Sequence, residues 1–189
     1  MKKITSLLFV LLFSATAFSQ KLPGIDKSPM DMSYYPNDFA HDRKFAPEKI
    51  GDLPAIARVI YSRPAKKDRE VFGGMVKFGN VWRMGANEAA EIKFYRNVPI
   101  QGKKVKAGTY ALYAIPNADE WTIILSTDLD QWGTYSYTED KDVLRVNVPV
   151  KQTDEMVENF TIQFVKSTDN EAVMRILWDR TLIEVPIKF

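Results

Sequence analysis

The stretch Leu144-Arg145-Val146-Asn147-Val148-Pro149-Val150 alternates apolar and polar side chains over seven residues. A period of two puts one set on one face of a pleated strand and its neighbours on the other. The same parity returns at Phe160, Ile162 and Phe164, with Thr161 and Gln163 between them. Further out, Met174, Ile176 and Trp178 share one parity, as do Ile183, Val185 and Ile187. Towards the N-terminus the pattern recurs at Trp121, Ile123 and Leu125, and at Ala57, Val59 and Tyr61. Turn residues separate the runs: Gly73-Gly74, Gly102, Ala107-Gly108, Pro116-Asn117-Ala118-Asp119, Gly133 and Asp169-Asn170. Strands at roughly 8–12-residue intervals, with no sustained helical period, predict an all-β fold. The economical form is a two-layer antiparallel β-sandwich, jelly-roll-like, over residues 54–189. Residues 85–90 and 154–158 each suit a single helical turn. Pro186 lacks the N–H of a sheet interior and predicts an edge position for the last strand.

The N-terminal part has another character. Residues 20–53 carry Pro23, Pro29, Pro36 and Pro47, with Pro54 just beyond, and no period survives between them. Met30, Met32, Tyr34, Tyr35 and Phe39 make this segment too apolar for a free linker. It reads as an extended N-terminal arm whose aromatics cover exposed core. Residues 1–19 read as a secretory signal. Lys2 and Lys3 precede an apolar run from Leu7 to Phe13, and Ala17 and Ser19 are small residues before a cleavage point at Gln20. The run is shorter than the roughly 20 residues that span a bilayer. The expectation is an exported protein, periplasmic or secreted, with no transmembrane segment after signal removal.

The 189 residues are 46% hydrophobic and 26% charged, a globular composition sufficient for one core. Without Lys2 and Lys3 the 26 basic side chains become 24, matching 24 acidic ones. The mature chain then has no net charge, which argues against a nucleic-acid partner. There is no cysteine, so disulfides, thiolate metal sites and a cysteine nucleophile are excluded. The one histidine, His41, lies in the arm beside Asp42, Arg43 and Lys44 and reads as solvated. A Ser-His-Asp triad and multi-histidine metal sites fall away with it. Neither glycine-rich phosphate loop occurs. Asp128, Asp130, Gln131, Asp140 and Asp142 are donors of the kind calcium takes, but without the glycine and distant glutamate of a calcium loop. They read as loop carboxylates, and no metal or cofactor is assigned.

The densest polar stretch runs from Tyr61-Ser62-Arg63-Pro64 through Lys66, Lys67, Asp68 and Arg69 to Trp82-Arg83-Met84-Gly85-Ala86-Asn87-Glu88. Arginine forks bind carboxylate or phosphate, an indole stacks on flat ligands, and an asparagine hydrogen-bonds polar ones. The candidate binding site is therefore Arg63, Arg69, Trp82, Arg83, Asn87 and Glu88, with Asp31 and Tyr34 of the arm as a wall. Its ligand would be small and polar, anionic or sugar-like. The same residues also suit a buried structural network, with Arg63 and Arg83 paired to Glu88, Glu91 or Asp68. Two further functions stay open. One is an envelope interaction module whose arm or edge strand docks a protein partner by strand addition. The other is a hydrolase built on carboxylates, with Glu88 and Glu91 as candidates. Tyr135 and Tyr137, with Trp132 and Trp121, suit a flat carbohydrate platform, but core filling is the favoured role for such large aromatics.

The run Tyr-Ser-Arg-Pro at 61–64, followed by Arg69-x-Val71-Phe72-Gly73-Gly74 and Val81-Trp82-Arg83-x-Gly85-Ala86-Asn87-Glu88-Ala89, resembles the signature of the DUF2911 family of exported bacterial domains. Similarity continues through Ala107-Gly108-Thr109-Tyr110, Trp121-Thr122-Ile123-Ile124-Leu125, Trp132-Gly133 and Asp142-Val143-Leu144-Arg145-Val146, and covers about residues 28–188. Met84, Lys77-Phe78 and Ala90 depart from the usual pattern, while the arginines, Asn87 and Glu88 remain. The resemblance implies an exported β-rich domain and no established activity. Its signature coincides with the polar stretch, as either a shared site or a shared fold-defining network would.

Overall fold

The structure is a computed structural model that describes residues 22–52 and 54–189; residues 1–19, read from sequence as a secretory signal, lie outside the described residues. The strands are β1 (Met30–Tyr35), β2 (Ala57–Ser62), β3 (Ala90–Phe94), β4 (Val98–Ile100), β5 (Lys103–Val105), β6 (Gly108–Ile115), β7 (Glu120–Ser126), β8 (Asp142–Thr168) and β9 (Glu171–Lys188). Neighbours are antiparallel in the order β1-β2-β3-β6-β7-β8-β9-β4-β5. The all-β expectation is met.

The two layers are parts of one continuous sheet. β8 is 27 residues long, far beyond the five or six usual for a strand. Its first part pairs with β7, as far as Pro149 opposite Glu120. From Val150, opposite Ile183, it pairs with β9 instead. Register shifts between Gln152 and Val157 and between Val157 and Thr161 follow this change of partner. Such bulges bend a strand and sharpen its twist. They occupy the segment read as a helical turn at 154–158, which is strand. Residues 85–90 form no helix either, because Met84 and Asn87 hold φ of 57° and 60°, outside the right-handed region.

The alternating residues behave as their period requires. Val59, Tyr61, Ile92, Trp121, Ile123 and Val146 from one layer meet Phe160, Ile162, Phe164, Met174, Ile176 and Ile183 from the other in one buried cluster. Its centre is aromatic: Trp82 stacks on Trp178 with centroids 5.9 Å apart, and Phe72 meets Trp121 edge-on at 4.7 Å. Burying one such side chain is worth about 1.5–3 kcal/mol.

The arm is more regular than its prolines suggest. β1 fits between Pro29 and Pro36 and pairs with β2 from Met30–Ser62 to Tyr35–Ala57. Its ladder is made by backbone, and Met30 and Met32 stay exposed at 56% and 53%, so the apolar parity is not the buried one. A short helix, α1 (Phe39–Phe45), follows. Tyr35 does cover core, packing on Phe164 and Phe189. Pro186 is not at an edge: β9 lies between β8 and β4. It is tolerated because the ladder to β8 runs no further than Ile183 and β4 pairs only at Ile187.

Candidate functional site

The loop following Trp82 is bolted down from two sides. Trp82 exchanges backbone hydrogen bonds with Ala114 of β6, at 2.7 and 2.9 Å. Its indole N–H donates to the Gly85 carbonyl at 3.2 Å. Ser62, buried at the end of β2, donates its hydroxyl to the Ala86 carbonyl and accepts the Ala86 N–H at 2.7 Å. Gly85 passes so close that a Cβ there would lie 2.8 Å from Ser62 Oγ and 2.9 Å from its carbonyl oxygen, at φ +150°. With Trp82 and Met84 both buried, Arg83 between them is the side chain that reaches outward.

It reaches into a hollow of about 330 Å³. Four cationic residues, Lys27, Lys67, Arg69 and Arg83, line it, and no carboxylate does so among the described residues. Arg69 is held by the Lys66 and Ala65 carbonyls. Arg83 is different. Its Nε is buried and has no hydrogen-bond partner among the described residues. Burial lowers its pKa from the ordinary guanidinium value. Removing a cation from water without supplying acceptors is unfavourable, and Arg83 carries that cost.

The other candidates divide. Arg63 is a clamp: its guanidinium donates to Asp31 Oδ2 at 2.9 Å, Thr161 Oγ1 at 2.9 Å and the Phe160 carbonyl at 3.2 Å. It joins β1, β2 and β8, and its acid is Asp31, not Glu88, Glu91 or Asp68. Trp82 is a core residue whose edge contributes to the hollow. Asn87 is in the left-handed region, and its carbonyl accepts the Gly133 N–H at 2.9 Å. Glu88 lines a separate hollow of about 260 Å³ with Glu91, Asp130 and Met30. Tyr34 stacks on Phe39 and faces a third hollow beside α1. Of the eight residues grouped by sequence, Arg69, Trp82 and Arg83 converge. The arm does contribute a wall, but through Lys27 and Ser28 instead of Asp31 and Tyr34. The Lys66-Lys67 pair was a visible signal; Lys27 carried none, because the sequence does not show which arm residue passes over the loop.

The loop aromatics divide as well. Tyr137 packs edge-on against Tyr113 at 5.1 Å and donates its hydroxyl to Asp142 at 2.7 Å. Burial, and then the Asp142 carboxylate, push its phenol above the usual range. Trp132 and Tyr135, favoured as core, are 60% and 89% exposed. The loop folds over Ile124 and Tyr113 with Leu129 and Tyr137 inward, leaving those two outside. Asp142, a calcium candidate, pairs with Arg145 at 2.9 Å. No cluster of three or more acidic or histidine side chains suited to a metal occurs among the described residues. No helix among them is long and apolar enough to cross a membrane.

No curated protein and no solved structure matches the chain. The family model described as a protein of unknown function, DUF2911, matches residues 48–187, which takes in β2 to β8, all but the last residue of β9 and the whole Trp82–Glu88 loop. The chain belongs to the DUF2911 family.

Proposed function

We propose that the mature chain is an exported, non-catalytic binding module for a small anionic ligand, held in the hollow between Arg69, Arg83 and the arm. One observation carries this reading: Arg83 is half-buried, its Nε has no acceptor among the described residues, and the hollow it lines holds three more cationic residues and no carboxylate. Arg63, by contrast, has a protein acceptor at each of its three guanidinium nitrogens.

The two alternatives draw less support. Docking by strand addition would use a strand at the end of the sheet, β1 or β5, and β1 is tied across to β8 where Ser33 donates its hydroxyl to the Ile162 carbonyl at 2.6 Å. Carboxylate hydrolysis needs two free acids, and Glu91 accepts the Asp130 N–H at 3.2 Å, as a loop fastener would.

Titration calorimetry of the mature chain with small carboxylates and phosphate tests the reading. A hydrogen bond to a charged group contributes about 1.5–3 kcal/mol. Arg83→Met is therefore expected to weaken anion binding at least about tenfold with an unchanged circular dichroism spectrum. Unfolding by that substitution alone would make Arg83 a structural residue and end the proposal. Export has its own check. The charged start and apolar run at residues 2–13 predict a secreted or periplasmic product whose N-terminal residue is Gln20. Intact-mass measurement that finds Met1 retained in the envelope fraction contradicts it.

A further inference from the structure

We infer that the ligand of this hollow is an organic acid with a compact apolar body, and not a sugar or a bare inorganic ion. The inference rests on the anion-binding reading and narrows it.

The hollow is rich in donors and poor in acceptors. Its charged residues, Lys27, Lys67, Arg69 and Arg83, present only N–H groups. Among the described lining residues Ser28 supplies the sole side-chain hydroxyl. Several backbone carbonyls of the walls are already engaged. Pro64 accepts from the Phe160 N–H, Ala65 from Arg69, Gly85 from the Trp82 indole and Ala86 from Ser62. A sugar carries a hydroxyl proton for nearly every carbon, and each needs an acceptor when buried. This hollow would leave most of them without one. A carboxylate is acceptor-only and matches the donors.

The rest of the lining decides against a bare ion. Pro64, Ala65, Met75, Val76 and the edges of Trp82 and Trp178 are apolar. A volume of about 330 Å³ lies at the small end of ligand pockets, roughly 300–1,000 Å³. Inorganic phosphate would leave those walls wet, whereas an aromatic or branched carboxylate fills them and gains about 0.8 kcal/mol per buried methylene equivalent. Lys27 and Ser28 are placed over the opening by the arm, held there by the Arg63 N–H to the Pro29 carbonyl at 3.0 Å.

The test is calorimetry on the mature chain with benzoate, acetate, inorganic phosphate, glucuronate and glucose. Benzoate is expected to bind at least tenfold more tightly than acetate, phosphate or glucuronate, and glucose not at all. Met75→Ser, a change at a partly exposed wall residue, should weaken benzoate severalfold and leave acetate and phosphate unchanged. Equal affinities for benzoate, acetate and phosphate overturn the apolar body while the anion reading stands. Glucuronate as the tightest ligand overturns the donor-only argument. Failure of every anion removes this inference and the proposed function together.

Discussion

Gly85 is the position on which the candidate site most directly depends. Its lack of a side chain lets the loop rest against Ser62, and that contact sets where Arg83 leaves the backbone. A Cβ there would press on a backbone carbonyl, which cannot swing away, at a φ that L-residues rarely adopt. Strain of this kind costs about 1–3 kcal/mol before any clash is added. Gly85→Ala is therefore expected to lose about 2 kcal/mol or more in urea unfolding. Gly79, at φ +75° with open space around it, is the control: Gly79→Ala carries the backbone term alone. Equal losses for the two variants would show that contact with Ser62 does not matter. At this scale the sequence was partly legible. Arg83 and Arg69 stood out as chemistry, but Arg63 looked the same as Arg83. What separates them is Asp31 and Thr161, 32 and 98 residues away, delivered by strand register.

Among the elements, β6 shows how a strand with both faces covered shapes pH dependence. Leu112 faces the main core, while Tyr113 faces the outer cluster beneath Tyr137. Burial, reinforced by Asp128, Asp142 and Glu91, pushes the Tyr113 phenol up to about 12. The ordinary value in an unfolded chain is about 10. The folded value is the higher one, so the neutral phenol's contribution is complete below pH ~10 and is lost as pH climbs through about 12. Denaturation midpoints from pH 8 upward should fall across that window in the parent chain and fall less steeply in Tyr113→Phe. Identical slopes would mean the phenol is as well hydrated folded as unfolded. Parity exposed the strands that bury a single face, such as residues 160–164 of β8. It missed β1, where Met30, Met32 and Tyr34 alternate with Asp31 and Ser33 but the apolar parity faces outward, and whose order comes from the β2 ladder.

Over the whole molecule, 26 basic and 24 acidic side chains nearly cancel, yet charges of one sign are gathered locally. Cationic residues line one hollow, and Glu88, Glu91 and Asp130 line another. Composition averages this away, so a chain with little net charge can still present a strongly positive recess. The layered architecture was legible from alternation and turn spacing, because those follow from local pleat geometry. The joining of the layers was not, since nothing within 142–168 announces where one partner strand gives way to the next. That exchange at Pro149–Val150 has a consequence for how the protein comes apart. A single stretch of chain is woven through both layers, so neither can be peeled off as an autonomous subdomain. Local opening on one side tugs on the other, and the molecule is built to melt in one concerted step.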